Sequence, residues 1–436
     1  MPVRPRRSTA IALAAWLGLA GALAPATSAQ VLLTPDEAKL AREFSPLPDP
    51  PGDPTNAVYE DAAAARLGQA LFFDTGLSAN DEVSCATCHA PDQGWGDGRR
   101  KAKGIGHRPR HTPTLWNVAY NRWFYWDGRK DTLWSQALAP LEDPNEHGMS
   151  RLEILHLLAD DPEYARAYAD VFGSRLDLSD TARFPAAGRP MEHEPRHPHH
   201  LAWESMEPDD RLVVDRAFSN VGKALAAYQR LIVSRRAPFD VFVEGLDDGD
   251  PEKLAALSDP AQRGFSLFVG KASCHVCHDG PNFTDMEFHT NRVATGEGVD
   301  PGRALGILRL KADPFNSASE FADDGGRVGA SKLSLAKRGW HIPGEFKTPT
   351  LRNVAGTAPY MHEGQMPTLQ EVVRFYSTLE GAAPPDSTGE QLIRAVGLTE
   401  SEQADLIAFL LSLTDERLPD ALRAAPDSPR LNAKAR

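Results

Sequence analysis

The chain has 436 residues, of which 25% are charged, and its formal net charge is −13 at pH 7. This length exceeds that of one small domain and predicts two domains, each with a core of its own. The acidic balance argues against nucleic acid as a partner and favours a soluble protein that is attracted to basic surfaces of partner proteins.

The first residues, 1–29, predict a secretory signal peptide. Arginines precede an apolar run from Ile11 to Ala24, and the small residues at 27–29 supply a cleavage site. This run of fourteen residues is short for a membrane span, and no later segment has eighteen uninterrupted apolar residues. We therefore expect a mature protein that begins at Gln30, has no membrane span and is exported to the periplasm.

The four cysteines of the chain lie in two Cys-x-x-Cys-His motifs, at 85–89 and at 274–278. In this spacing both thiols can form thioethers with the vinyl groups of one haem, and the following His binds the iron. Two such motifs behind a signal peptide, with no Cys left over, favour haem c at both sites over disulfides or zinc. The predicted haem-binding residues are Cys85, Cys88, His89, Cys274, Cys277 and His278.

A longer sequence segment also occurs twice in the chain. TPTLWNVAYNRWFYWDG spans Thr112 to Gly128, and TPTLRNVAGTAPYMHEG begins 236 positions later at Thr348. The repeat predicts a mainly α fold of two tandem cytochrome c-type domains with few strands. The repeat extends to an apolar segment before each haem motif, at 67–74 and 263–270. Each half also ends in a predicted amphipathic helix, at 221–233 and 404–413. Thr399 and Glu402 precede the second of these helices in capping-box spacing.

Two insertions interrupt the symmetry of the repeat. The segment Gly188 to His200 carries four histidines, for which surface metal binding and a solvated loop are the alternatives. The segment 311–346 is rich in Gly, Ser and Lys and predicts a surface excursion. The expected organisation is a signal peptide at 1–29, an N-terminal cytochrome c domain at 30–245, an acidic linker within 244–252, a C-terminal cytochrome c domain at 253–420 and a tail at 421–436.

The constant offset of 236 places Pro140 over Tyr376. Tyr376 lies on the apolar face of a predicted helix, so it is either a core aromatic or the residue whose phenolate oxygen is the sixth ligand of the second haem. Proline has no donor atom, so the same scaffold would leave the first haem open. Met361, His362 and Met366 are rival ligands for the second haem.

An open haem binds peroxide, and cleavage of the O–O bond needs a group that takes a proton from one oxygen and gives it to the other. Glu146, six residues after Pro140, is a candidate for this proton relay. Gln136 lies one helical turn before Pro140 and is a candidate hydrogen-bond donor to the bound oxygens. Taken alone, both residue types are more often solvated surface side chains.

These motifs, with WDGR at 126–129, together resemble the bacterial dihaem cytochrome c peroxidase family and its MauG-like subclass over about residues 65–413. The resemblance implies that the first haem is peroxidatic and that Gln136, Pro140 and Glu146 line its distal side. It also implies that Trp126, otherwise an ordinary core candidate, carries electrons between the haems. Donor-dependent members have Met where this chain has Tyr376, whereas MauG-like enzymes have Tyr.

The chain departs from the family in three places. The family binds calcium between its domains through an Asn, which is His111 here, and through carbonyls that match Thr357 and Pro359. A loop His caps the resting first haem in typical members, and His107 lies near that place but is shifted. MauG has a Trp before its second haem motif for drawing electrons from a protein substrate, and this chain has Ala272, so maturation of a tryptophylquinone does not transfer.

The leading hypothesis is an exported dihaem peroxidase that reduces hydrogen peroxide at the N-terminal haem with electrons delivered from a protein through the C-terminal haem. The electron donor would be a small cytochrome or a copper protein. Whether the enzyme is a monomer or a homodimer is left open by the sequence. The competing functions are a MauG-like enzyme that oxidises Trp or Tyr of a partner protein, a non-catalytic dihaem electron-transfer cytochrome, and a structural or sensory haem protein.

Overall fold

The structure is a computed structural model that describes residues 31–296, 298, 300–336, 343–384, 393–415 and 417–426. The predicted signal peptide and the end of the tail lie outside these residues. The described chain is mainly helical, as predicted, with one two-stranded antiparallel sheet of β1 (Phe288–His289) and β2 (Phe346–Lys347). Among the described residues, no helix is long and apolar enough to cross a membrane.

The helices follow one another as α1 Pro35–Ala41, α2 Ala62–Phe73, α3 Cys85–Cys88, α4 Leu133–Glu142, α5 Arg151–Asp160, α6 Pro162–Phe172, α7 Pro198–Glu204, α8 Pro208–Gln229, α9 Pro238–Asp248, α10 Pro251–Leu254, α11 Asp259–Val269, α12 Gly302–Ala312, α13 Arg327–Leu335, α14 Leu369–Thr378 and α15 Glu400–Leu411. Helix α15 begins with the predicted capping box of Thr399 and Glu402. The expected linker contains the end of α9 and the start of α10.

Each half is built on a pair of helices that cross at a glycine. In the first half α2 crosses α8, and a Cβ added to Gly68 would lie 1.9 Å from the carbonyl oxygen of Ala224. In the second half α11 crosses α15, and a Cβ on Gly264 would lie 2.0 Å from the carbonyl oxygen of Asp405. No side chain fits at either place, so glycine is required for the backbones to touch.

The repeat seen in the sequence is also present in the backbone. Asn117 and Asn353 both have left-handed backbone angles, with φ of 59° and 58°. The next matched pair, Tyr125 and Met361, has φ of 64° and 73°. Such angles are uncommon for residues other than glycine, so their recurrence at an offset of 236 positions supports the alignment that places Pro140 over Tyr376.

Each of the two main hydrophobic cores contains a short segment from the other half of the chain. Phe44, from the N-terminal segment, packs in the core of the second half, whereas Phe315 and Phe321 of the insertion pack in the core of the first half. The aromatic side chains of this part of the insertion are therefore buried against the first core. The prediction of a surface excursion is wrong for this part, because its aromatic residues outweigh its small and charged ones. Residues 337–342 of the insertion lie outside the described chain.

The histidine-rich insertion forms turns that lead into α7. The rings of His197 and His199 lie 4.8 Å apart. Within the described chain, three side chains able to ligate a metal come close together only at Cys277, Asp285 and His289, which are outside this insertion. The arrangement therefore does not favour a metal site among these histidines.

Candidate functional site

The first Cys-x-x-Cys-His motif forms the short helix α3 and presents His89 directly after it. Nδ1 of His89 lies 3.0 Å from the carbonyl oxygen of Trp95, and the carbonyl of Pro113 also contacts the ring. An Nδ1–H that donates to a backbone carbonyl leaves the lone pair on Nε2, which is the arrangement of an iron-binding histidine. Burial lowers the pKa of His89, so the ring is neutral at pH 7.

The second motif repeats this geometry. Nδ1 of His278 lies 3.1 Å from the carbonyl oxygen of Phe283, and the carbonyl of Pro349 contacts the ring. Pro113 and Pro349 belong to the two copies of the TPTL phrase, so one function of the repeated phrase is to hold the two histidines. Burial again lowers the pKa of the imidazole.

No disulfide joins the four cysteines of the two motifs. A cavity of about 1310 Å³ connects the motifs and is lined by Cys88, His89, Cys274, Cys277 and His278. Two cysteine pairs at a shared cavity, each followed by an oriented histidine, fit two covalently attached haem c groups.

Helix α4 directs two of the predicted residues into this cavity. Gln136 and Pro140 lie one turn apart on α4 and both line it, as does Glu146 on the turn that follows the helix. The structure thus brings together the three residues that the sequence predicted for the distal side of the first haem. Each of them lies in the half of the chain that carries His89.

Glu146 is held by a cation. Its Oε1 lies 3.0 Å from Nε of Arg108, which also contacts Asp143 at 2.9 Å. Burial raises the pKa of Glu146, Arg108 opposes this rise, and Asp143 adds to it. A partly buried carboxyl with a raised pKa at the edge of a cavity is suited to proton transfer.

Two further residues complete this side of the cavity and were not predicted as site residues. The hydroxyl of Tyr125 is hydrogen-bonded to the side chain of Gln136, and the guanidinium of Arg129 stacks on the Tyr125 ring at 3.3 Å from its centroid. The signal that could have identified Tyr125 is the offset of 236, which matches this residue with the rival ligand Met361.

Trp126 forms hydrogen bonds with both halves of the chain. Its Nε1–H donates to the carbonyl oxygen of His111 at 2.9 Å, and its own carbonyl accepts from the backbone N–H of Lys347 in β2 at 2.8 Å. Trp126 also lines the cavity that joins the two haem motifs. The residue predicted to carry electrons thus bonds to both halves of the chain and lines the cavity that they share.

Tyr376, on α14, lines the cavity in the second half. Burial raises the pKa of its hydroxyl to about 12, and a hydrogen bond from the side chain of Asn291 partly opposes this rise. Asn291 also contacts Sδ of Met361 at 3.5 Å. Tyr376 is the cavity residue that the repeat matches to Pro140.

The rival ligands differ in their surroundings. Met361 and His362 line the cavity, whereas Met366 is not among the described residues that do so. The His362 ring stacks on Phe346 with centroids 3.9 Å apart, and its Nε2 is buried without a hydrogen-bond partner. Burial lowers the pKa of His362 to about 4, so the ring is neutral.

The expected calcium ligands are occupied by a side chain. Nδ1 of His111 lies 2.7 Å from the carbonyl oxygen of Arg99, and the ring also contacts the carbonyl of Thr357. Calcium takes six to eight oxygen ligands, and here the imidazole of His111 bonds to the carbonyl of Thr357, which was one of the expected ligands with Pro359. These residues do not fit calcium, and no step below depends on it.

His107 does not reach the first haem site. It is exposed, on a loop that pairs Lys103 with His107, and lies outside the described lining of the cavity. The neighbouring Arg108 enters the cavity instead. This structure therefore places an arginine, and not the loop histidine, at the distal side.

Comparison with known proteins identifies the family. The family model of the di-haem cytochrome c peroxidases matches residues 62–248. The methylamine utilization protein MauG of Methylorubrum extorquens is 33% identical over 352 residues, which cover 80% of this chain and 78% of that protein. Cytochrome-c peroxidase IdrP1 of Denitromonas iodatirespirans is 31% identical over 390 residues, covering 86% and 88%. The crystal structure of a MauG-like protein associated with microbial copper homeostasis superposes with a TM-score of 0.58 at 28% identity, covering 89% of this chain and 99% of that one.

Proposed function

Because this chain belongs to the di-haem cytochrome c peroxidase family, we propose that it is an exported enzyme that reduces hydrogen peroxide to water at the haem of its first half. Electrons come from a protein donor, a small cytochrome or a copper protein, through the haem of the second half. The observation that carries this proposal is the match of Pro140 with Tyr376: the repeat aligns the two positions, and both residues line the cavity. A side chain without a donor atom would leave the first haem accessible to the substrate.

The haem would supply the redox centre that delivers two electrons to peroxide. Glu146 would take a proton from one oxygen of peroxide and return it to the other oxygen, which leaves as water. Two electrons and two protons are consumed for each peroxide, and two waters form. Gln136, which is hydrogen-bonded to Tyr125, would hydrogen-bond the substrate oxygens.

The second half serves electron transfer in this proposal. Tyr376 and His278 would hold the iron of the second haem, and Trp126 would connect the two sites. The peroxidatic haem then belongs to a domain at 30–245 and the electron-transfer haem to a domain at 253–420. The protein would act as a soluble periplasmic enzyme.

The test uses the purified oxidised holoprotein. We expect its EPR spectrum to contain one high-spin and one low-spin haem, and a reduced chemical donor to be oxidised when hydrogen peroxide is added. Two low-spin haems without peroxide consumption would overturn the proposal and identify a non-catalytic electron-transfer cytochrome.

Tyr376 favours a second candidate, oxidative modification of Trp or Tyr in a partner protein. An anionic phenolate stabilises oxidised iron better than a thioether does, which suits a site that retains an oxidising equivalent until a protein supplies the electron. Incubation with peroxide and proteins of the same periplasm, followed by mass spectrometry, tests this candidate. A partner that gains or loses mass only in the presence of the holoprotein would support it.

A further inference from the structure

The loop at 101–109 lies directly on the turn that carries Glu146. The backbone N–H of Ile105 donates to the carbonyl of Glu146 at 3.1 Å, and that of Gly106 donates to the carbonyl of Asn145 at 2.8 Å. A Cβ added to Gly104 would lie 2.7 Å from Cα of Glu146. Glycine is therefore needed for this contact, and the loop is fixed to the turn.

Arg108 projects from this loop onto the proton-transfer group. Its guanidinium lies 3.0 Å from Oε1 of Glu146 and 2.9 Å from Oδ2 of Asp143. The side chains of Arg108 and Glu146 are 24% and 20% exposed, so solvent screens the pair only in part. One cation thus holds two carboxylates at the edge of the cavity.

We propose that Arg108 is a positioning residue for the peroxide reaction, which orients the carboxylate of Glu146 and keeps it ionised so that it can accept a proton. This inference rests on the proposed function, in which Glu146 is the proton relay. A general base must be ionised before it can act, and the enclosed position of Glu146 opposes ionisation.

The charged and titratable groups that face Glu146 support this assignment. Arg108 and Arg129 favour its ionised form, and Asp143 disfavours it. The hydroxyl of Tyr125 also faces Glu146, but burial raises its pKa and keeps it neutral, and the cysteines of the first haem motif carry no titratable proton once they are thioethers. Arg108 is the cation in direct contact with Glu146, so its loss should have the largest effect on ionisation.

The experiment measures the second-order rate of peroxide reaction against pH, with purified holoproteins mixed in a stopped-flow instrument. In the wild type the rate should fall at acid pH as Glu146 becomes protonated, and this fall is the acid limb of the pH profile. In Arg108→Gln this acid limb should move to higher pH by about one unit or more, the scale of losing an adjacent cation, and activity should recover at alkaline pH. Arg108→Lys should shift the limb less, because it retains the charge.

The matched control is Lys103→Gln, which removes an exposed positive charge from the same loop and should leave the limb in place. A second variant, Asp143→Asn, should move the limb in the opposite direction, to lower pH, because Asp143 raises the pKa of Glu146. If Arg108→Gln does not fold, the smaller shift expected of Arg108→Lys tests the role of Arg108, and Asp143→Asn tests whether the acid limb reports on Glu146.

An equal loss of activity at every pH, with the acid limb unmoved in Arg108→Gln and Asp143→Asn, would overturn the proposal and leave Arg108 a structural role. Glu146→Gln separates this failure from that of the proposed function. If Glu146→Gln reacts with peroxide as fast as the wild type, the proton relay itself is wrong. If Glu146→Gln is slow while the Arg108 variants keep the wild-type limb, only the role of Arg108 is wrong.

Discussion

Replacing Tyr376 by Met should raise the reduction potential of the second haem. If the phenolate is the axial ligand, the variant exchanges an anionic oxygen for a neutral thioether, which favours ferrous over ferric iron. The side chain is enclosed beside Asn291, and Met can fill the space because it is flexible and apolar. The fold and the attachment of both haems should be retained.

The structure sets the scale of this change. Burial raises the pKa of Tyr376 to about 12, about five units above neutral pH. Ferric iron must offset this deprotonation to bind the phenolate, and each unit corresponds to about 59 mV for a one-electron couple. If ferrous iron had no affinity for the phenolate, the preference lost in the variant would be roughly 300 mV, so an upward shift of about 100 mV or more is expected.

Redox titration followed by near-infrared and EPR spectra separates the two haems. Tyr376→Phe is the matched control, because it keeps the ring but removes the oxygen and should leave the second haem high-spin. An unmoved potential together with an unchanged low-spin signal in both variants would show that Tyr376 is core packing. The ligand would then have to be sought at Met361 or His362, which also line the cavity.

Three further predictions concern proton transfer, electron transfer and stability. Glu146→Gln should leave both haems attached but slow the reaction with peroxide by roughly 10²-fold or more; an unchanged stopped-flow rate would remove Glu146 from the mechanism. Trp126→Phe should slow electron exchange between the haems without changing either haem's spin state, and equal rates of inter-haem reduction after flash photolysis would count against this route. Asp240→Asn breaks a buried pair in which Arg352 is fully enclosed and bonded at 2.8 and 2.9 Å, so it should lower the free energy of unfolding by about 3–5 kcal/mol. A loss below about 1 kcal/mol in urea denaturation would contradict this estimate.

The repeated phrase made much of the fold predictable. The spacing of two haem motifs and two TPTL segments indicated tandem helical halves, and matched positive φ angles at Asn117 and Asn353 show that the backbone repeats with the sequence. The packing of Phe315 and Phe321 against the first core was not predictable. Contacts between distant segments depend on the tertiary arrangement, which local periodicity does not contain.

The candidate site was likewise predictable from the sequence only where its contacts are local. Gln136 and Glu146 became candidates from their spacing to Pro140 on one helix and its following turn, because that geometry is local, and the family resemblance then implied their roles. Arg108 gave no such signal, since its contact with Glu146 exists only when a loop from another part of the chain closes on that turn. Its neighbour His107 was the more obvious candidate by chemistry, yet it faces outward.

The exchanged segments also determine what would happen if the chain were cut between its halves. The ring of Phe44 lies 5.0 Å from that of Phe283 in the second core, and Phe315 lies 5.8 Å from Phe218 in the first. Loss of one buried Phe costs about 3–5 kcal/mol, a large share of the stability of a typical domain. A fragment with one haem would therefore expose apolar surface that the missing fragment normally covers. Because each core includes a segment from the other half, we expect that neither cytochrome half can be exchanged as a separate module without redesigning both surfaces.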